Sequence, residues 1–373
     1  MGKLWRREKD GDGKSKLVEE DLSALAISRP TVIYLSGFLT NNNQPGFIAG
    51  GIKKTKELLA GRMDDGSTPE VLAWSHTSLA NLFNLAAYNM LPSRRASKAG
   101  YELGAGVLMP LLARDFKRDG KGNVSGTPLP AEEARKRLRN VTFLGYSAGS
   151  IVAQETFNAT LKMMKGIGYK EKDARALLKE VALLSVGTIS RPSKETDRFT
   201  TFYLVASNDR INRMKNWIWG TMGTALRTIF TRYGWKKNSK KLSMRPLSKS
   251  SLFFSAAVRP RLYEWSYDKD GQKKEKKWFQ PLYPKWLLRR SYHELPHYVT
   301  TDDHNNPFSR IALYTLTNAV NRKGPVTPEQ LVRPPAQDDL HGEEAKAAYA
   351  EKLDRAKRPP PASMTATPKR FLF

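Results

Sequence analysis

Residues 140–153 read NVTFLGYSAGSIVA, and this stretch decides the fold. Residues 140–144 form a short apolar run with a β-branched residue in it, which is typical of a buried strand. Glycine and serine interrupt the run at 145–149, and the residues that follow favour a helix over 148–164. The pattern therefore predicts a strand, a tight turn and a helix in direct succession.

The turn has the spacing Gly145-x-Ser147-x-Gly149. A nucleophilic serine must sit on a strained strand-to-helix turn, and flanking glycines leave room where the strand and the helix approach each other. The start of the helix also offers N–H groups and a favourable dipole to a developing oxyanion. An ordinary turn serine fits the five residues alone, but the strand before and the helix after them favour a nucleophile elbow. The sequence thus predicts Ser147 as a catalytic nucleophile.

The same alternation of strands and helices runs through most of the chain. Apolar runs predict strands, and periodic segments between them predict helices. The strands are expected at 31–36, 70–74, 181–185 and 200–206, and the helices at 45–61, 79–90, 98–118 and 308–321. Because the apolar runs are nearly continuous, each strand should be covered on both faces. The expected fold class is α/β, with a mostly parallel sheet covered by helices on both faces.

Composition shifts divide the chain into segments. Residues 1–29 are polar and predict a mobile arm with at most a short helix near 17–26. Residues 30–322 form the predicted α/β domain, and the proline-rich tail over 323–373 is expected to be disordered apart from a helix near 343–357. Residues 210–290 break the alternation and are interpreted as a basic aromatic insertion or cap.

These motifs resemble the α/β-hydrolase superfamily over about residues 31–321, with 210–290 as an insertion. Three stretches, at 35–39, 72–75 and 205–209, are similar to a branch that includes eukaryotic transmembrane-and-coiled-coil-domain proteins. The chain departs from that branch because it has no run suited to transmembrane helices. The resemblance implies a serine hydrolase that cleaves an ester, of a lipid in particular, through an acyl-enzyme without cofactor or metal. It also implies a chain order of serine, acid and histidine.

Asp209 follows the predicted strand at 200–206, where the family carries its acid. The acid would hold the histidine in the correct tautomer and stabilise the imidazolium. The alternative is that Asp209 only caps a helix that begins near Asn212.

Four of the five histidines follow Asp209, as the implied chain order requires, but His341 lies in the proline-rich tail. The candidates for the base are therefore His293, His297 and His304. His297 is favoured, because a His-Tyr pair before a loop and a helix resembles the end of several serine esterase branches. His304 and His293 remain open as the base. A metal pair of His293 and His297 is disfavoured, since Pro296 breaks the helix that this spacing needs.

The oxyanion donors are expected from two loops. The resemblance assigns one N–H to Ala148, directly after the serine, and the other to the loop that follows the first core strand. In that loop Gly37 has no side chain, which lets the backbone come close to the oxyanion, and Phe38 or its neighbour Leu39 offers the N–H. The alternative is a turn that only ends the strand.

Cysteine content and hydropathy exclude several classes of protein. The 373 residues include no cysteine, so disulfides, a thiolate nucleophile, cysteine-ligated zinc and iron–sulfur clusters are excluded. No uncharged apolar run reaches 18 residues, and the N-terminus lacks the pattern of a secretory signal. The expected location is cytoplasmic or peripheral to a membrane, with secretion by a non-standard route left open.

The formal net charge is +27, and residues 210–290 carry most of it. This segment holds 21 basic and 4 acidic residues and six of the eight tryptophans. An amphipathic helix at 214–233 would suit an anionic membrane surface. Alternatively, the aromatic residues pack as a cap, or they stack on single-stranded nucleic acid, although no nucleic-acid fold is recognisable. The competing function is a catalytically inactive scaffold that binds an anionic membrane, nucleic acid or protein.

Overall fold

A computed structural model of the chain describes fourteen stretches of residues. They are 2–9, 15–22, 25–37, 45–75, 96–119, 122–188, 199–206, 243–248, 251–256, 266–267, 273–274, 295, 298–299 and 307–333. The helices expected at 79–90, 214–233 and 343–357 lie outside the described residues.

Strands and helices alternate along the described part of the chain. The strands are β1 Lys3–Lys9, β2 Ser15–Glu20, β3 Thr31–Leu35, β4 Glu70–Ser75, β5 Ala113–Arg118, β6 Val124–Pro128, β7 Val141–Tyr146, β8 Ala182–Val186, β9 Thr200–Ala206, β10 Ser243–Ser248, β11 Ser251–Ala256, β12 Ser266–Tyr267 and β13 Lys273–Lys274. The helices are α1 Pro45–Leu58, α2 Lys98–Leu103, α3 Ala131–Leu138, α4 Gly149–Gly166, α5 Glu171–Leu178, α6 Pro307–Val320 and α7 Pro328–Leu331. A π turn at Gly104–Leu108 and a 3-10 turn at Met109–Leu111 continue α2.

Nine strands form one sheet in the order β10-β11-β9-β8-β7-β3-β4-β1-β2. The six strands from β11 to β4 in this order are parallel to their neighbours, whereas β10, β1 and β2 pair antiparallel. All five residues of β3 and all five of β8 are buried, as expected for strands covered on both faces. The α/β class with a mostly parallel sheet is confirmed.

Alternate residues of each central strand enter two different cores. Ile33 and Leu35 of β3 pack in the core that contains α2, α3, α4 and α5. Val32 and Tyr34 pack on the opposite face, in the core that contains α1 and α6. Side chains alternate across a strand, so the two cores lie on opposite faces of one sheet. Helices therefore cover both faces, as predicted.

The strand order reverses between β3 and β7, which are neighbours in the sheet. From β3 the chain passes through α1 to β4 on one side, and from β7 it passes through α4 and α5 to β8 on the other side. Helices that leave two adjacent parallel strands toward opposite faces open a crevice at the carboxyl ends of those strands. In this sheet Ser36 and Gly37 follow the end of β3, and Ser147 directly follows the end of β7.

The amino-terminal segment differs from the prediction of a mobile arm over 1–29. β1 and β2 form a hairpin, and β1 also pairs with β4, which places Leu4 in the core. Opposite charges face each other across the hairpin, since Lys3 pairs with Glu19 and Arg6 with Glu20. Such pairs stabilise strands whose polar composition suggests a flexible arm. Strand β2 also replaces the start of the helix expected near 17–26.

The helix expected over 98–118 is wrong after residue 111. Pro110 lacks an N–H, and it lies in the 3-10 turn that ends this helical stretch. The Tyr169 hydroxyl lies within hydrogen-bond distance of the carbonyls of Leu112 and Leu129, at 2.7 and 3.1 Å, and its single O–H, donated to either, holds the base of the β5–β6 hairpin. Residues 113–118 therefore form β5. Helices α3 and α5 occupy segments for which the sequence predicts no element.

Two predicted boundaries also differ from the structure. Strand β11 lies inside the segment 210–290, yet it pairs in parallel with β9 along its whole length. Residues 251–256 therefore belong to the central sheet and not to a separate insertion. Beyond the predicted domain end at 322, Leu331 of α7 is fully buried against Ala182 and Ala319. The folded part therefore extends into the segment that was expected to be disordered.

Candidate active site

Ser147 occupies the turn between β7 and α4 in a left-handed backbone conformation, with φ of 53°. This region is sterically unfavourable for any residue with a β-carbon, and serine is not among those that tolerate it best. The Ser147 N–H donates to the carbonyl of Val186 at 3.0 Å, and the Ser147 carbonyl accepts from the Ser150 N–H at 3.2 Å. Hydrogen bonds on both sides thus hold the strained backbone in place.

The two glycines of the motif let strands and helix approach each other more closely than a side chain would permit. A β-carbon at Gly145 would lie 2.9 Å from the α-carbon of Ser150. One at Gly149 would lie only 2.1 Å from the carbonyl oxygen of Leu35, the last residue of β3. The spacing Gly-x-Ser-x-Gly therefore has a steric cause, because the first turn of α4 lies directly on the ends of β3 and β7.

Gly37 brings the loop after β3 to the side of Ser147. A β-carbon at Gly37 would lie 3.3 Å from the Ser147 β-carbon and 2.9 Å from the ring of Tyr146. The preceding residue is still held in the sheet, since the Ser36 N–H donates to the carbonyl of Trp74 at 3.1 Å. The loop predicted to donate a hydrogen bond to an oxyanion therefore begins in contact with the predicted nucleophile.

Ala148 forms the N-cap of the 18-residue helix α4 and has helical dihedral angles, φ of −62° and ψ of −25°. The first N–H groups of a helix have no acceptor within the helix, and the dipole at this end favours negative charge. The N–H of Ala148 directly follows Ser147, so its position suits an oxyanion that forms when the serine attacks a carbonyl.

A chain of buried hydroxyl groups lies behind the turn, and the sequence analysis missed it. The Ser185 hydroxyl of β8 donates to the Ser150 hydroxyl at 2.8 Å, which in turn donates to the carbonyl of Gly145 at 2.9 Å. One helical turn further along, Gln154 donates to the hydroxyl of Tyr203 at 3.0 Å. A serine inside the apolar run of β8 was the available sequence signal. The Ser150 hydroxyl is thus bonded to protein groups on both sides.

Of the predicted site residues, the structure places Ser147 and Ala148 together with Gly37. The other predicted members lie outside the described residues. They are Phe38, Asp209, His297 and the alternative bases His293 and His304.

Described neighbours of the predicted acid and base lie at the carboxyl edge of the sheet. Strand β9 ends at Ala206, three residues before Asp209, and runs parallel to β8 and β7. Tyr298, the residue after His297, is fully buried, and a β-carbon at Gly187 would lie 3.2 Å from its ring. Gly187 directly follows β8, the strand beside β7, so Tyr298 packs one strand away from the elbow.

Leu295, Tyr298 and Val299, which are described on either side of residue 297, pack in the core that contains α6. The N–H groups of Tyr298 and Val299 both donate to the Leu295 carbonyl at 2.9 Å. The Tyr298 ring packs edge-on against Phe308 of α6, with 5.4 Å between ring centroids. The described neighbours of residue 297 are therefore held in the core.

The described stretches contain neither a metal-binding cluster nor a helix that could span a membrane. No group of three or more histidine, aspartate or glutamate side chains there is arranged to hold a metal ion. None of the helices in those stretches is both long enough and apolar enough to cross a lipid bilayer.

No protein-family model matches this chain, and no curated protein matches its sequence. Its function must therefore be inferred from its own residues.

Proposed function

We propose that the chain is a serine hydrolase of the α/β-hydrolase type, which cleaves an ester with Ser147 as nucleophile. One observation carries this proposal. Ser147 has a left-handed backbone at the crevice between β3 and β7, and it is held there by hydrogen bonds from both sides. Strain of this kind persists only where the surrounding structure imposes it, and it is concentrated at functional sites.

The proposed reaction proceeds through an acyl-enzyme. The Ser147 hydroxyl attacks the carbonyl carbon of the ester while His297 accepts its proton, and Asp209 orients His297. The N–H groups of Ala148 and Phe38 stabilise the oxyanion. The alcohol leaves with the proton from His297. A water molecule then gives a proton to the same histidine and attacks the acyl-enzyme, and His297 returns that proton to the Ser147 oxygen as the acid is released.

The described neighbours of the two remaining residues support this assignment. Strand β9 ends three residues before Asp209, at the edge of the sheet where Ser147 lies. Tyr298, the residue after His297, packs against Gly187 at the carboxyl end of β8. These two described neighbours therefore lie on the same side of β7.

Labelling with a fluorophosphonate probe tests the proposal directly. We expect the native protein to be labelled and to hydrolyse a short p-nitrophenyl ester, and Ser147→Ala to lose both activities while it remains folded. Ser125→Ala is a matched control, because Ser125 is exposed on the distant hairpin strand β6. Equal labelling of Ser147→Ala and the native protein would contradict the proposal. A native protein that is never labelled would favour the inactive binding scaffold.

We further propose that the enzyme meets its substrate at an anionic lipid surface. Residues 210–290 combine an excess of 17 positive charges with six tryptophans. Positive charge attracts the segment to anionic headgroups, and tryptophan rings settle at the headgroup level.

Liposome binding tests this second proposal. Binding to anionic vesicles should exceed binding to neutral ones and should weaken with salt, since exposed charges are screened over about 10 Å at 0.1 M. The decisive variant combines Trp217→Ala with Trp219→Ala, which keeps every charge. Lost affinity would support a lipid-facing pair. Unchanged affinity with a lower melting temperature would instead show aromatic residues packed in a core.

A further inference from the structure

We infer that Ser150 and Ser185 form a hydroxyl pair that positions Ser147 for attack. The inference rests on the proposed function, because it assigns a role within the same reaction. Ser150 and Ser185 are positioning residues, since both are buried and act through the backbone that carries Ser147.

The first turn of α4 is fitted onto three neighbouring strands at once. Leu35 of β3, Gly145 of β7 and Ser185 of β8 are direct partners across the sheet. Gly149 packs on the carbonyl of Leu35, and the backbone of Ser150 packs on Gly145. The Ser150 hydroxyl reaches Ser185 on the third strand. Of these three contacts, the one to β8 depends on side-chain hydroxyl groups.

The hydroxyl pair and the strained serine share their neighbours. Ser150 donates its N–H to the carbonyl of Ser147, and its hydroxyl to the carbonyl of Gly145 at the opposite end of the turn. Val186, which follows Ser185, accepts the N–H of Ser147. The link between Ser150 and Ser185 therefore closes a ring of hydrogen bonds around Ser147.

Loss of the hydrogen bond between Ser185 and Ser150 should lower the reaction rate. Without the hydroxyl of Ser185, the first turn of α4 loses its side-chain hydrogen bond to β8, and the Ser147 hydroxyl is less firmly aimed. A shift of about 1 Å in a reacting group can reduce the rate about 100-fold. Substrate binding should not change, because both serines are fully buried and their side chains are not exposed to a ligand.

The matched variants Ser185→Thr and Ser185→Val differ in the presence of a hydroxyl group, so a comparison of the two isolates the effect of that hydroxyl on the rate. Threonine and valine have nearly the same shape and both suit a strand, so any crowding is common to the two variants. We expect Ser185→Val to react with the fluorophosphonate probe at least about tenfold more slowly than Ser185→Thr. We expect kcat for a p-nitrophenyl ester to fall by the same factor with KM unchanged.

Two alanine variants and the native protein provide additional tests. If both threonine and valine prevent folding, Ser185→Ala and Ser150→Ala remove the hydroxyl groups without added bulk and should show the same loss of kcat. Equal rates for the valine and threonine variants, or a lower melting temperature with unchanged kcat, would overturn the positioning role alone. A native protein that the probe does not label at Ser147 would overturn the proposed function and this role with it.

Discussion

Two residues in the described part of the chain have a β-carbon and a positive φ, and they lie in very different places. Ser147 has φ of 53° in the buried turn between β7 and α4. Asp115 has φ of 52° in the exposed β5–β6 hairpin, where the strand register shifts between Arg114 and Lys117. Aspartate is one of the residues that adopt this conformation most readily, and a register shift of this kind accommodates it.

The comparison shows that a strained dihedral angle alone does not mark a functional site. At Asp115 an exposed bulge and a suitable residue account for the conformation locally. At Ser147 the conformation is imposed by contacts from the loop after β3, from β8 and from α4 on a residue that does not favour it. The functional interpretation rests on this convergence.

The largest expected effect concerns the acid and the base that would activate Ser147, with the other strained residue, Asp115, as the control. Asp209→Asn and His297→Ala should each reduce ester turnover about 10⁴-fold, because the serine would lose its oriented base. Asp115→Asn is a matched control and should leave turnover unchanged. The measurement is kcat/KM for a p-nitrophenyl ester with each purified variant.

The alternative bases are tested in the same assay. His293→Ala and His304→Ala should be milder than His297→Ala. An inactive His304→Ala variant beside an active His297→Ala variant would show that His304 is the base, and the nucleophile would remain Ser147.

The second prediction concerns the packing that imposes the strain at Ser147. Gly149→Ala should lower the free energy of unfolding by about 3 kcal/mol, because its β-carbon would meet the Leu35 backbone at 2.1 Å. Gly324→Ala is the control, since a β-carbon there meets no atom within 4 Å. Chemical denaturation of both variants gives the comparison, and equal stabilities would show that α4 can move away from β3.

The elbow could be predicted from sequence because its requirements are local. The apolar strand, the spacing of Gly145, Ser147 and Gly149, and the helix after them all lie within about twenty residues. The strands β3, β4, β8 and β9 were predicted for a similar reason, since burial on both faces leaves continuous apolar runs.

The elements that sequence reasoning missed depend on distant partners. Strand β1 is stabilised by pairing with β2 and β4, and Arg6 forms ion pairs with Glu20 and Glu70. Strand β11 pairs with β9, about fifty residues away in the chain. Strand β1 lacks the apolar pattern of a central strand, so propensity and periodicity could not locate it. Residues 252–258, LFFSAAV, are apolar, but they lie inside the basic segment that was interpreted as an insertion. The link between Ser150 and Ser185 likewise joins residues 35 positions apart.

The smallest predicted effect measures the strain itself at both residues. Ser147→Gly and Ser147→Ala both remove the hydroxyl and differ only in the β-carbon, which costs roughly 1 kcal/mol in the left-handed region. Ser147→Gly should therefore be more stable than Ser147→Ala by about 1 kcal/mol, reduced by the greater backbone entropy of unfolded glycine. The hydrogen bonds and close packing around the elbow prevent the turn from relaxing, so nearly all of the backbone strain should appear in this difference in stability.

Asp115→Gly and Asp115→Ala should differ less in stability, because the exposed bulge can adjust its dihedral angles. Urea denaturation of the four variants provides the test, and a larger difference at residue 115 than at residue 147 would mean that the elbow is the more adaptable of the two turns.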